Sequence, residues 1–403
     1  MTRRTVKRAF KYRFHPTDAQ AAVLSRTLGC VRLVYNLALD ARAEAWRTGQ
    51  RKVSYNDTSA MLTAWKRTTE YAFLNDVSSV PLQQALRHLQ QGFANFFAKR
   101  ARYPRFKSRK RSRASAEYTA SAFRYRNGQL FLAKMAEPLD IVWSRPLPEG
   151  ATPSTVTVTR DAAGRWSVSL LCEDTIESTP APNTAVGVDA GLTSLVTLST
   201  GEKIDNPRHG QHDRERLAKA QRGLARKQPG SANRARARHK VARIHARIAD
   251  RRRDFLHKLT TRLVRENQTV VIEDLTVRNM LKNRRLARAI SDAAWRELRA
   301  MLEYKCAWYG RDLVVVDRFF PSSRTCADCG RVTEELPLHI RTWACACGFV
   351  HDRDVNAART LEAAGLAVLA CGDDARPQRG SFPAGRSSMK QETRRATAGL
   401  PRL

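Results

Sequence analysis

The chain has 403 residues, room for two or more domains at about 150 residues each. Its 72 Lys and Arg against 38 Asp and Glu leave a formal net charge of +34, and 42% of its residues are hydrophobic. That composition excludes a wholly disordered chain and points to a polyanionic partner.

No stretch reads as a membrane span, and the basic start MTRRTVKRAFKYRF has no apolar core of a secretory signal. The expectation is a soluble nucleic-acid-binding protein of a reducing compartment. Residues 3–14 alternate loosely and predict a strand with one basic face. Pro16-Thr17-Asp18 opens a helix whose apolar residues Val23, Leu24, Leu28, Val31, Tyr35, Ala38 and Leu39 keep helical spacing up to Gly49. A second helix is expected from Tyr55 to about Trp65. A third begins at Ser79-Val80-Pro81, capped by Ser79 or Val80, with Leu82, Leu86, Leu89, Phe93, Phe96 and Phe97 on one stripe. Residues 99–113 then carry nine Lys or Arg and no acid. Arg102, Tyr103, Arg105, Phe106, Lys107 and Arg109 there combine cations with aromatic rings, the pairing that tracks a nucleic-acid backbone and stacks on bases.

Residues 118–178 read as β-structure, with a turn at Gly128 and a hairpin closed by Asp161-Ala-Ala-Gly164. Pro180 and Pro182 mark a linker. Beyond it, Ala185-Val-Gly-Val-Asp-Ala-Gly, Leu195-Val-Thr-Leu, Thr269-Val-Val-Ile-Glu273 and Asp312-Leu-Val-Val-Val-Asp317 read as short strands. Between them, residues 207–266 predict a helical hairpin broken at Pro229-Gly230. Its segment 207–253 holds sixteen Lys or Arg against three acids, a density that calls for a polyanion. A helix is expected around 292–309, and Asp354 opens another that stops at Gly365. Residues 371–403 form an expected disordered basic tail.

Two groups of residues carry chemistry. Asp189 and Glu273 end strands, and Asp354 opens a helix. Carboxylates gathered on a strongly cationic body would repel a phosphodiester unless divalent cations bridged them. Mg²⁺ takes oxygen ligands, and two such ions can drive in-line displacement at phosphorus. The order strand-Asp, distant strand-Glu, helix-Asp follows the logic of the RNase H-like α/β fold. Asp352 and Asp274 are acidic neighbours read as structural or supporting. Asn356 either positions a ligand or caps the helix, and His351 is read as structural. Cys326-x-x-Cys329 and Cys345-x-Cys347 have the form of a tetrahedral Zn²⁺ site of structural type, placed to hold the loop that carries Asp354. Cys30, Cys172, Cys306 and Cys371 are scattered and read as small apolar residues.

VGVDAGL, VVIEDL and HDRDVNAART resemble the three RuvC motifs of the TnpB (OrfB) proteins, transposon-encoded RNA-guided endonucleases related to type V CRISPR effectors. FFPSSRTCADCG…WACACGFVHDRDVNAA resembles that family's cysteine knuckle, and YRFHPTDAQAAVLSRTLGCVRLVYN with YPRFKSR its N-terminal region. The resemblance covers about residues 5–370 and implies the following. Asp189, Glu273 and Asp354 are the catalytic, metal-binding acids. A β-barrel wedge domain comprises residues 1–15 and 116–180, with a helical recognition domain at 16–115. A RuvC-like nuclease domain comprises 181–321 and 350–370, with the zinc knuckle at 322–349. A guide RNA from the element's end and a double-stranded DNA target are the partners, the protein reading duplex shape and a short adjacent motif. The chain acts as a monomer or weak dimer, without a membrane. The alternatives are a guided DNA-binding regulator that does not cut, and a transposase that joins strands.

Overall fold

The computed structural model describes residues 3–110, 112–177, 184–337 and 339–371. The expected linker at 180 and all but the first residue of the expected tail lie outside that range. The chain divides into two units, one formed by residues up to 28 and from 113 onward, the other by residues 29–112.

Strand β1 (Arg3–Phe14) buries Phe10, Tyr12 and Phe14 and exposes Lys11 and Arg13 between them, the basic-faced strand its alternation predicts. Helix α1 (Asp18–Gly49) runs from one unit into the other. By length and composition it could cross a membrane, which the sequence reading did not foresee, but half of its most apolar window is buried inside the protein. Leu24, Val34, Ala38 and Leu39 form that buried side. In the second unit α2 (Tyr55–Trp65) starts with a reciprocal capping box between Ser54 and Asp57. The cap of α3 (Ser79–Phe97) is Ser78, one residue ahead of the expected position, and the helix buries Leu82, Leu86, Leu89 and Phe93.

The first unit resumes with β2 (Ala114–Thr119), β3 (Phe123–Arg126), β4 (Gln129–Leu132), β5 (Ile141–Val142), β6 (Pro153–Arg160) and β7 (Trp166–Glu177). Asn127 and Gly128, both at positive φ (50° and 74°), turn β3 into β4, the two-residue hairpin geometry such a pair favours. The other strands make an antiparallel sheet in the order β2-β6-β7-β1-β5.

A second sheet is built from β8 (Ala185–Ala190), β9 (Ser194–Leu198) and β10 (Lys203–Asp205). After α4 (His209–His212), α5 (Arg214–Ala225) and α6 (Ala232–Glu266) come β11 (Thr269–Glu273), α7 (Val277–Met280), α8 (Ala287–Ala293), α9 (Trp295–Tyr309) and β12 (Asp312–Val316). The order is β10-β9-β8-β11-β12, with β9 antiparallel to its neighbours and β8, β11 and β12 mutually parallel. The short pair β13 (Thr342–Ala344) and β14 (Val350–Asp352) leads into α10 (Arg353–Cys371). Pleating sends alternate residues to opposite faces. Val186, Val188, Val270 and Ile272 meet Leu256, Leu259 and Leu263 of α6 and Leu298 and Leu302 of α9. Val271, Val314 and Val316 face the other way and pack on Leu361 of α10. The hairpin α5–α6 is real: Leu217 and Ala220 close on Ile244 and Ile248 in the first half of α6.

Candidate active site and cysteine knuckle

Asp189 and Glu273 share one face of the second sheet. Val188 pairs with Ile272 across parallel β8 and β11, so the acids stand side by side one residue further on, at the strands' carboxyl ends. Two residues earlier on that face, Gly187 touches α10. A Cβ there would lie 1.9 Å from the Ala358 carbonyl oxygen, and at Gly365 one would lie 2.5 Å from Val271 Cγ2. Helix and sheet therefore meet almost backbone to backbone. Asp354 sits one helical turn before Ala358, on the same side of α10, and this close approach carries it toward the two strand acids.

The electrostatics register the convergence. Burial, and after it the carboxylates of Glu273 and Asp354, push the Asp189 carboxyl from the usual Asp value up to about 8, while Arg353 and Arg341 pull the other way. Ser322 Oγ donates to Glu273 Oε1 at 2.8 Å, and Arg341 Nη1 donates to Asp354 Oδ1 at 3.0 Å. The neighbouring acids have other partners. Asp352 Oδ1 accepts from the N–H groups of Asp354 and Val355 at 3.1 and 3.0 Å, capping α10, and its other oxygen meets Lys203 Nζ at 2.6 Å. Burial works against ionising Asp274, but hydrogen bonds from Arg299 and Arg318 hold its carboxyl below the usual range.

The sulfurs of Cys326, Cys329, Cys345 and Cys347 all lie within 4.8 Å of one another, with Cys326–Cys347 and Cys329–Cys345 both at 3.7 Å. Thiolates held tetrahedrally at a metal–sulfur distance of about 2.3 Å stand about 3.8 Å apart, so the four fit a metal ion. The Cys347 backbone N–H lowers the Cys345 thiol to about 7. Burial opposes ionisation of Cys326, yet the backbone N–H groups of Cys329 and Asp328 and the His351 side chain lower it. Among the described residues, the second tight group of possible ligands is Cys326, Asp328 and His351.

His351 belongs to the knuckle: it is 5% exposed, its Nε2 lies 3.1 Å from Cys326 Sγ, and its ring packs on Trp343. Asn356 does not cap the helix; it holds the backbone around a candidate ligand. Buried to 1% exposure, it accepts from Ala327 N–H at 2.9 Å and donates to the Thr325 carbonyl at 2.7 Å, gripping the chain on both sides of Cys326. Thr360 Oγ1 donates to the Ser322 carbonyl one turn later. The knuckle thus supplies Ser322 to Glu273 and Arg341 to Asp354. Neither residue stood out in the sequence, because a serine and an arginine beside cysteines carry no spacing signal of their own. Cys172 and Cys306 are buried as expected of apolar residues.

In the basic stretch, Arg102, Arg105 and Arg109 are exposed, as is Phe106. Tyr103 packs edge-on against Phe93 and Phe96, with ring centroids 5.4 and 5.3 Å apart. Lys107 differs from its neighbours. Its Nζ lies 3.9 Å over the Tyr35 ring, its backbone exchanges two hydrogen bonds with the Asn36 side chain, and burial lowers its ammonium.

Three family profiles match this chain: one described as "Probable transposase" over residues 167–284, a "Cas12f1-like, TNB domain" over 295–361, and a "Helix-turn-helix domain" over 1–51. The last match falls on one strand and one uninterrupted helix. A Streptomyces pristinaespiralis protein named "Putative RNA-guided DNA endonuclease" is 74% identical over 99% of both chains. An Escherichia coli K12 protein, "Putative RNA-guided DNA endonuclease InsQ", is 35% identical over 91% of this chain and 94% of its own. Among solved structures, a Cas12f1 chain from a complex with sgRNA and target DNA superposes with a TM-score of 0.55 at 12% identity, covering 89% of this chain and 99% of that one.

Proposed function

The chain belongs to the OrfB (TnpB) family, and we propose from that premise that it is a transposon-encoded RNA-guided endonuclease that cuts double-stranded DNA. One observation carries the catalytic part of this reading: two strand ends and a helix start place Asp189 where burial, and after it the carboxylates of Glu273 and Asp354, raise its carboxyl to about 8. Three acids in mutual repulsion, in a protein of net charge +34, are a donor set for hard divalent cations. The sheet order and the positions of two acids on the adjacent strands β8 and β11 support an RNase H-like, RuvC-type domain. The antiparallel sheet around β1 supports a wedge barrel.

Magnesium, when bound, supplies Lewis-acid charge at the scissile phosphate. The protein's own part is placement. Asp189 gives up its proton to become a ligand. Ser322 fixes the rotamer of Glu273, and Arg341 steers Asp354. The four thiolates favour zinc, and Asn356 passes the rigidity of that knuckle to the helix that carries Asp354. Arg102, Tyr103, Arg105, Phe106 and Arg109 are proposed to contact nucleic acid, whereas Lys107 serves the packing of its own unit. Guide pairing reads the target sequence, while the protein reads duplex shape and the adjacent motif.

Co-expressing the chain with its flanking genomic sequence against a plasmid library tests the proposal. Cut ends that need Mg²⁺ and disappear in Asp189→Ala are expected. Binding without cutting by the unaltered chain would leave a regulator, and joined products a transposase.

A further inference from the structure

Four thiolates outweigh a zinc dication, so the filled knuckle is anionic, and that charge is unevenly solvated. Cys329 and Cys347 are exposed, so water reaches their sulfurs, whereas Cys326 and Cys345 are 1% and 7% exposed. A buried anionic acceptor needs donors from the protein itself. The Cys347 N–H serves Cys345, and the N–H groups of Asp328 and Cys329 serve Cys326. Cys326, the more deeply buried of the two, has a further neighbour. Among the described residues, His351 is the one non-cysteine side chain that reaches a knuckle sulfur, its Nε2 standing 3.1 Å from Cys326 Sγ.

That distance separates two roles open to an imidazole. A nitrogen at about 2.0 Å and a sulfur at about 2.3 Å from one tetrahedral ion stand about 3.5 Å apart. His351 is nearer to Cys326 than two such ligands would be, and the four sulfurs already supply a tetrahedral set. Its position fits a hydrogen-bond donor to a ligand. The ring is also held in that pose. It is 5% exposed and packs on Trp343 with centroids 4.8 Å apart, and the pairing of β13 with β14 sets the two residues opposite each other. The Asp328 carboxylate lies 3.7 Å from Nδ1, at the other edge of the ring.

We infer that the Nε2–H of His351 donates to the Cys326 thiolate of the metal-loaded knuckle and governs how long the ion is retained. The inference rests on the zinc reading of the four cysteines and adds a positioning residue outside the ligand set. Zinc-loaded full-length protein, without guide or DNA, is mixed with a chromophoric chelator, and release rates are compared for the unaltered chain, His351→Phe and His351→Gln. Phenylalanine keeps a packed ring and has no donor, whereas glutamine keeps an N–H. Release should quicken by about 10- to 100-fold in His351→Phe and return most of the way in His351→Gln. Cobalt in place of zinc gives a second reading. Its thiolate charge-transfer band should keep the intensity of four sulfurs throughout and move to longer wavelength in His351→Phe, because a thiolate relieved of a hydrogen bond gives up charge more readily. Equal release from the unaltered chain and His351→Phe would overturn the inference. A three-sulfur band in the unaltered chain would overturn it by making His351 a ligand. Release quickened alike in both variants, with the band unmoved, would overturn it by reducing the ring to packing. Purified protein that neither holds zinc nor takes up cobalt would instead overturn the metal reading beneath it. Neither measurement depends on cutting, so both stand whatever the nuclease assay gives.

Discussion

A buried carboxyl, crowded besides by two others, holds its proton until something positive displaces it. Asp189, raised to about 8, thereby links pH to both stability and cutting. Between the ordinary Asp value and that one, the folded chain keeps a proton that the unfolded chain has lost, so stability without metal falls as pH rises across this window. Calorimetry in chelator should show a melting temperature that declines from pH 5 to pH 8, and Asp189→Asn should flatten the decline. Cleavage at limiting Mg²⁺ should rise over the same interval, because the cation competes with the proton. The serine that donates to Glu273 offers a second residue-level test. Ser322→Ala leaves the carboxylate without its donor, and changes that loosen a metal ligand's orienting partner cost about 10- to 100-fold. Cleavage rates at saturating guide should fall by that order while DNA binding holds. Rates equal to those of the unaltered chain would show that Glu273 needs no orientation.

Among the elements, β8 and α10 govern the site, and a methyl group should tell how tightly. Gly187→Ala would drive its Cβ into the Ala358 carbonyl. Backbone cannot yield as a side-chain tip does, so the cost should reach or exceed the ~1–3 kcal/mol typical of overpacking, read as a lower unfolding midpoint with loss of cleavage. Gly223→Ala is the matching control: nothing lies within 4 Å of its Cβ in helix α5, and the change should add ~0.5–1 kcal/mol. Periodicity made most such elements legible. Alternation foretold β1 and the β6–β7 hairpin, and Pro229-Gly230 foretold the break before α6. What stayed hidden was contact between distant segments. The clamp that Asn356 places around Cys326 needs α10 and the knuckle packed together, and no local pattern encodes that. The same holds for Lys107, whose sequence neighbours are solvent-facing cations while it lies over Tyr35. Lys107→Ala should therefore lower stability by ~1 kcal/mol, whereas Arg105→Ala/Arg109→Ala should leave the melting temperature alone and flatten the salt dependence of binding.

For the whole molecule, composition already pointed to a polyanionic partner, and the three acids with four cysteines marked the site proposed for its chemistry. Their coupling is the structural addition. Removing the knuckle's ion, by chelation or by Cys326→Ser, should release Ser322 and Arg341 together and expose the chain around Asp354 to protease. Loss of cleavage should accompany that exposure. Protection and activity equal to those of the intact protein would make the knuckle a separate ornament.

Backbone contact at Gly187 has one more consequence. Carbonyl and amide atoms are common to every residue, so a spacing they set does not drift when outer side chains change. Surfaces that choose partners and targets can diversify quickly around such a hub, and an engineer could redraw them while the cutting geometry stays where the main chain put it.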